Sequence, residues 1–365
     1  MHVMSRRPRW LWKLAVAALA LVVAVALVEP SAWRVAYAHP EFLVPALAGW
    51  LANQCFCALR FYILVNRAGV PLSLRQTMRM TMIGFFAGCV FGGFAANDAV
   101  RALMLRHAAT DAQLSRLLLL IVLDRVLGFA AFALWALALS YVAASTLDPA
   151  LAPLMGTIRG VGFGLLAAFA ALFALTALAG RARPSPRSAL LARMYAVARM
   201  GSETRIATGM ILAFPLAVLA AGAVIVAQGF IGARIVSELG QAPSFSLQAF
   251  LAPTSIIVSI LPIVPLGIGL GQLTLSGLYA LFGLGIDAAV LLTTIMQAAQ
   301  FTIAAGLGGT ALAAVRRTEH AHAGCAGDVE PVHRGVGGAG HIVTENEGGD
   351  NVRRGRSGHA GDRRR

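Results

Sequence analysis

Apolar runs long enough to cross about 30 Å of hydrocarbon recur along this chain, and they limit the fold more than any other feature. Inside a bilayer every backbone polar group must find its partner within the protein, so the choice is a helical bundle or a closed barrel. Runs this long mark helices, because a spanning strand needs only about ten residues of alternating character. Composition agrees. The chain is 58% hydrophobic and 13% charged over 365 residues, whereas soluble domains run near 45–50% and 25%. Mean hydropathy is +0.74. The expected fold class is therefore all-α, a polytopic helical membrane protein.

The runs at Leu14–Val28, Phe42–Val65, Leu117–Ala144, Gly160–Ala179, Thr208–Ile231 and Ala288–Val315 read as about six full spans. Two others are interrupted. Met78–Ala96 holds Gly84, Gly88, Gly92 and Gly93. Ala252–Leu284 holds Pro253, Pro262 and Pro265, followed by Gly267, Gly269 and Gly271. Proline removes an amide donor and glycine favours non-helical backbone, so both read as broken or re-entrant segments.

Charge decides between crossing and returning. If Met78–Ala96 crossed fully, the arginine-rich loop 181–205 would fall outside the cell, against the positive-inside rule. If it turns back at its glycines, the N-terminus and the loops 60–79, 97–116, 181–205 and 316–317 all lie in the cytoplasm. Together these hold 19 Lys and Arg residues, against Arg34, Arg159 and Arg234 outside and Arg125 at membrane depth. The same bookkeeping makes Ala252–Leu284 a hairpin from the outer face. Two broken segments from opposite faces are how inverted-repeat transporters build a site near the midplane.

The formal charge of +14 does not indicate nucleic acid. Residues 318–365 carry seven arginines and seven acids, so the excess sits on the short loops of the membrane body, facing anionic lipid headgroups. That tail has little apolar periodicity and reads as a disordered polar segment behind a membrane domain at 1–317. Its scattered histidines, His320-x-His322 among them, read as low complexity, not a metal site. Cys55, Cys57, Cys89 and Cys325 make neither a disulfide framework nor a zinc spacing. Arg6, Arg7, Arg9 and Lys13 with Trp10 and Trp12 describe the cytoplasmic anchor of an uncleaved first span, although Ala36-Tyr37-Ala38 resembles a signal-peptidase site.

Candidate functional residues stand out because charge at membrane depth costs roughly 2.5–3.5 kcal/mol per group. Asn97, Asp98 and Arg101 follow the first broken run, and Asp124 and Arg125 lie inside the next span. Asp98 and Arg101 are three apart and share a helix face, so they can pair. Arginine suits a phosphodiester, since its planar fork donates two parallel hydrogen bonds and stays charged. Asp98 would orient Arg101, and a helix start near Asn97 would face the phosphate. Asp124–Arg125 would be a second station, and Gln272 a neutral wall opposite. A purely structural reading has these groups only neutralise one another.

The chain also resembles a known family, the lysylphosphatidylglycerol synthase transmembrane-region or flippase-like proteins. Arg60-Phe61 looks like its Arg-Trp at the end of the second span. Gly84-Phe85-Phe86 followed by Asn97-Asp98-Ala99-Val100-Arg101 looks like its glycine–aromatic run into Gly-Gly-Asp-x-x-Arg. Asp124-Arg125-Val126-Leu127-Gly128 looks like Glu-Arg-hydrophobic-x-Gly, and Leu261-Pro262-Ile263 with Gly267-Ile268-Gly269 like its late motif. Departures are Ala87 and Val90-Phe91 for an Asn and a Leu-Pro, Ala96-Asn97 for two glycines, and Gln272 for a Glu.

The resemblance implies a multi-pass protein of the bacterial inner membrane, both termini cytoplasmic, that moves or handles anionic phospholipid or lipid-linked glycan headgroups. The substrate-binding set it implies is Arg60, Asn97, Asp98, Arg101, Asp124, Arg125, Pro262, Gly267, Gly269 and Gln272. Membrane lipids are the expected partners, with no cofactor and no metal. In some relatives this region precedes a soluble aminoacyltransferase domain. The 48 residues after the last span here are too few and too polar for such a core, so no enzymatic activity is expected. The alternative is a non-transporting scaffold that holds an envelope-synthesis enzyme, with 181–205 as its docking loop.

Overall fold

The computed structural model describes residues 30–91, 93–108, 114–145, 149–181, 204–242, 244–259 and 270–314. The expected first span at 14–28, residues 182–203 of the arginine-rich loop, Pro262, Gly267, Gly269 and the tail lie outside them. Among the described residues there are ten α-helices and no strand: α1 (Pro30–Ala38), α2 (Leu43–Arg67), α3 (Leu74–Phe91), α4 (Gly93–Ala108), α5 (Leu114–Ala144), α6 (Ala152–Arg181), α7 (Thr204–Glu238), α8 (Phe245–Ser259), α9 (Leu270–Leu281) and α10 (Ile286–Ile303). The last continues through a π-helical turn, Ala304–Gly309. Among the described residues five segments are long and apolar enough to cross a membrane: Pro40–Arg67, Leu114–Ala144, Ala152–Ala171, Ile206–Glu238 and Ile286–Ala314.

Local chemistry sets the ends of these helices. α2 stops in a Schellman motif, in which the Val70 amide donates to Val65 O at 3.0 Å and Gly69 takes φ +81°. α3 then starts in a capping box. Ser73 Oγ accepts from the Gln76 amide and Gln76 Oε1 accepts from the Ser73 amide. Asn66 holds the connector by donating to Leu72 O and accepting from the Leu72 amide. The chain therefore leaves α2 and reverses at once into α3.

α3 and α4 form a tight antiparallel hairpin, with Gly93 at φ +70° where the second helix begins. Gly84 and Gly88 do not break α3, as their sequence suggested; they are its contact surface. A Cβ on Gly88 would sit 3.0 Å from Gly93 O, and one on Gly84 would sit 2.5 Å from Asn97 Oδ1. Helices approach this closely only where side chains are absent. Likewise α8 runs unbroken past Pro253 and ends at Ser259.

Paired contacts give the sense of each remaining helix. Gly49 lies against Ala227, Asn53 donates to Ala220 O at 2.8 Å, and Gly209 lies under Arg67, so α2 and α7 are antiparallel. Trp135 donates to Val218 O at 2.9 Å, and Arg159 donates to Ser140 O at 2.9 Å, placing α5 against α7 and α6 against α5. The ends of α2, α4 and α6 and the starts of α3, α5 and α7 consequently share one face. Arg67, Arg75, Arg79 and Arg106 are exposed there, and we call it the basic face.

The α8–α9 pair opens on the other face. The Gly285 amide, just past α9, donates to Gln241 Oε1 just before α8. Tyr279 bonds Gln248 between the two helices, and Phe250 meets Phe282 edge-on at 6.0 Å. α10 then runs back, with Trp50 donating to Met296 O at 3.0 Å and Gly308 pressed on Met82 O and Phe86 Cβ. Around Phe250, Tyr279, Ile231 and Leu291 lies one apolar core. A second, around Phe61, Leu64, Leu117, Leu120 and Ile225, encloses the charged residues.

Candidate functional site

Three helices bring the charges together. Arg60 lies seven residues before the end of α2 at Arg67, and Arg101 seven before the end of α4 at Ala108. Asp124 lies ten residues into α5 from Leu114. At about 1.5 Å per residue each sits some 10–15 Å in from the basic face. Asp124 is 1% exposed, Arg101 3% and Arg60 4%.

Asp124 accepts from two arginines. Arg60 Nε donates to its Oδ1 at 2.7 Å and Arg101 Nη1 to its Oδ2 at 3.0 Å. Asp98 pairs elsewhere: Arg125 Nε and Nη2 donate to its carboxylate at 2.6–3.1 Å as a fork. This differs from the sequence expectation, in which Asp98 orients Arg101 and Asp124 stands with Arg125. Adjacent residues on a helix point about 100° apart, so Asp124 and Arg125 face different neighbours. α4 supplies one partner to each. The start of α4 at Gly93 also places Asn97 in its second turn, not at a helix N-terminus.

Phenyl rings complete the cluster. The Arg101 guanidinium stacks 3.9 Å from the centre of Phe61, and Arg125 lies 4.7 Å from that of Phe94. Gly128 lies beside Arg60, whose Nη1 is 3.5 Å from where a Cβ would stand, an ordinary van der Waals distance. Phe61 follows Arg60 in the sequence, but nothing there shows that its ring would lie under Arg101.

Three guanidiniums and two carboxylates leave one positive charge in excess. It is not spread evenly. Arg101 spends one nitrogen on Asp124, while its Nε and Nη2 are buried and have no hydrogen-bond partner among the described residues. That edge is the fork with which Arg125 grips Asp98. Arg101 thus holds a complete bidentate donor in reserve, in a place where solvation is poor.

Gln272 is not brought to this cluster. It is fully buried in α9, and its Nε2 donates to Gln297 Oε1 of α10 at 2.7 Å. One turn on, Gln300 reaches Cys89 of α3 at 3.7 Å. These glutamines stand out in the sequence only as amides within apolar runs. No group of three or more His, Cys, Asp or Glu suited to a metal occurs among the described residues.

The model of one protein family, the lysylphosphatidylglycerol synthase TM region, matches residues 10–308. The chain belongs to this family. The matched stretch includes the whole arginine–aspartate cluster and the α3–α4 and α8–α9 pairs, and the chain is a multi-pass membrane protein. No curated protein and no solved structure matches it.

Proposed function

We propose that this protein binds the anionic headgroup of a phospholipid or lipid-linked glycan and carries it across the bacterial inner membrane, without enzymatic activity and without a cofactor. The observation behind this reading is the free fork of Arg101, whose Nε and Nη2 are buried with no hydrogen-bond partner among the described residues. A phosphodiester carries one negative charge and offers the paired oxygens that such a fork takes. Structural ion pairs alone have no use for a third buried guanidinium that leaves the cluster one positive charge in excess, which is costly to keep.

The fold supports the same reading. On this reading the basic face lies in the cytoplasm, α3–α4 enters the bilayer from inside and α8–α9 from outside, and we place both termini in the cytoplasm. Among the described residues Glu41, Glu238 and Asp287 belong to the opposite face. The exposed arginines of the basic face would attract anionic headgroups to the site at about 1 kcal/mol each.

Reconstitution in vesicles with a headgroup-labelled anionic lipid tests this. Wild-type protein should bring the outer-leaflet label to the inner leaflet, and Arg101→Gln should not. Wild-type vesicles no faster than empty ones would refute transport and favour the scaffold.

A further inference from the structure

α2 and α7 touch through small residues, and beside that contact the surface is hollow. A Cβ on Gly49 would lie 2.6 Å from Ala227 Cβ and 3.0 Å from Ala223 O. Next to this seam the two helices leave a groove of about 650 Å³, and every residue lining it is apolar. Ala48, Val226, Phe230 and Phe245 in its wall are exposed, so it opens towards the surrounding lipid. Along α2 it extends from Pro45 to Phe56, and along α7 from Phe230 to Leu219. Eleven residues at about 1.5 Å each make roughly 16 Å on either wall. That is half of a hydrocarbon layer about 30 Å thick. The groove begins near the face opposite the basic face and stops near mid-depth.

The open end of the groove is charged. Arg234 lies one turn past Phe230 on the same face of α7. Glu41 lies four residues before Pro45, just ahead of α2. Arg234 Nη2 is 3.7 Å from Glu238 Oε1, and His39 stands between Glu238, at 3.8 Å, and Glu41, at 2.8 Å. The side chains of Glu41 and Arg234 are 61% and 52% exposed, so both can meet a further partner.

We infer that this groove holds one acyl chain of a zwitterionic phospholipid carrying a primary ammonium, with its phosphate at Arg234 and its ammonium at Glu41 and Glu238. The site is separate from the arginine–aspartate cluster and does not depend on transport. Length selects the occupant. A spanning helix, from a second copy or another protein, would need a surface continuing across the whole bilayer, whereas an acyl chain ends at the midplane. Charge selects the headgroup. Arg234 offers donors only and the two carboxylates acceptors only, which suits a headgroup with both a phosphate and an ammonium. These three residues sum to one negative charge. A zwitterion leaves that sum unchanged, whereas an anionic headgroup would add a second negative charge beside two carboxylates.

The test uses the full chain in detergent, with phosphatidylethanolamine and phosphatidylglycerol of the same acyl chains as probes and native mass spectrometry as the readout. Ala52, half-buried in the groove wall, is changed to Phe to fill the groove, and Leu51, exposed and outside it, is changed to Phe as a control. Wild type should bind phosphatidylethanolamine about two- to fivefold tighter than phosphatidylglycerol, the scale of exposed ion pairs. Ala52→Phe should lower phosphatidylethanolamine binding several-fold, and Leu51→Phe should leave it unchanged. Glu41→Gln with Glu238→Gln should abolish the preference between the lipids, and Arg234→Gln should weaken both. Equal losses in Ala52→Phe and Leu51→Phe would mark an annular lipid only and overturn the site. No loss in Ala52→Phe, or equal binding of the two lipids by wild type, would overturn it as well. A wild-type dimer that Ala52→Phe converts to a monomer would make the groove an interface between copies, and the lipid assignment would fall. Should Ala52→Phe fail to fold, wild type is irradiated with a phosphatidylethanolamine bearing a diazirine in one acyl chain. Cross-links within 45–56 or 219–230 support the site, and cross-links confined elsewhere overturn it.

Discussion

Arg125 grips Asp98 with two nitrogens at 2.6–3.1 Å, and so Asp124, its neighbour in the chain, is left to two arginines from other helices. One exchange of partners makes the cluster asymmetric. Asp98 and Arg125 are balanced and half-buried, whereas the deeper group of Arg60, Asp124 and Arg101 is not balanced.

The exchange is open to a double-mutant cycle. Asp98→Asn and Arg125→Gln should couple by roughly 0.5–3 kcal/mol in thermal or denaturant unfolding in detergent. Asp98→Asn and Arg101→Gln should be close to additive. The reverse pattern would restore the pairing expected from their spacing of three on one helix.

Asp124 carries more of the fold than either arginine. Asp124→Asn leaves two buried guanidiniums without a carboxylate and should cost about 3–5 kcal/mol of stability. Adding Arg60→Gln should recover a substantial part of that loss, because it removes one of the two charges. A melting temperature unchanged by Asp124→Asn alone would contradict the geometry.

Glycines of equal apparent rank should behave unequally. Gly84→Ala forces a Cβ to 2.5 Å from Asn97 Oδ1 and 2.8 Å from Arg101 Cγ, and overpacking of this kind costs about 1–3 kcal/mol. Gly160→Ala meets nothing within 4 Å and should be neutral or slightly stabilising, since alanine favours helix by up to about 1 kcal/mol. Comparing the two by thermal unfolding, with lipid movement measured alongside, separates damage to the hairpin contact from a general effect of side-chain addition.

Orientation is tested by labelling. In a background without native cysteines, Gln76→Cys and Arg106→Cys lie on the basic face, and Glu41→Cys and Gln241→Cys on the other. An impermeant thiol reagent added to intact cells should reach the second pair only. Labelling of Gln76→Cys and Arg106→Cys from opposite sides would show that α3–α4 does not return to its starting face.

What the sequence by itself determined is the solvent and the ingredients. Long apolar runs admit only helices in a bilayer, because backbone groups there need internal partners. Asp98, Arg101, Asp124 and Arg125 stood out because charge inside apolar runs is expensive, Arg60 entered only through the family resemblance, and the structure gathers all five. Gly88 and Gly93 were both visible, yet glycine serves a turn and a close helix contact equally well. Only the folded hairpin shows that the chain turns at Gly93 and packs on Gly88. Gln272 likewise marked itself as a polar group in an apolar run, but its partner, Gln297, stands 25 residues away on another helix. Pairing was the part the tertiary structure decided. Who meets whom depends on the rotation of each helix about its axis and the distance between axes. Asp124 and Arg125, adjacent in the chain and about 100° apart in space, were bound to part company.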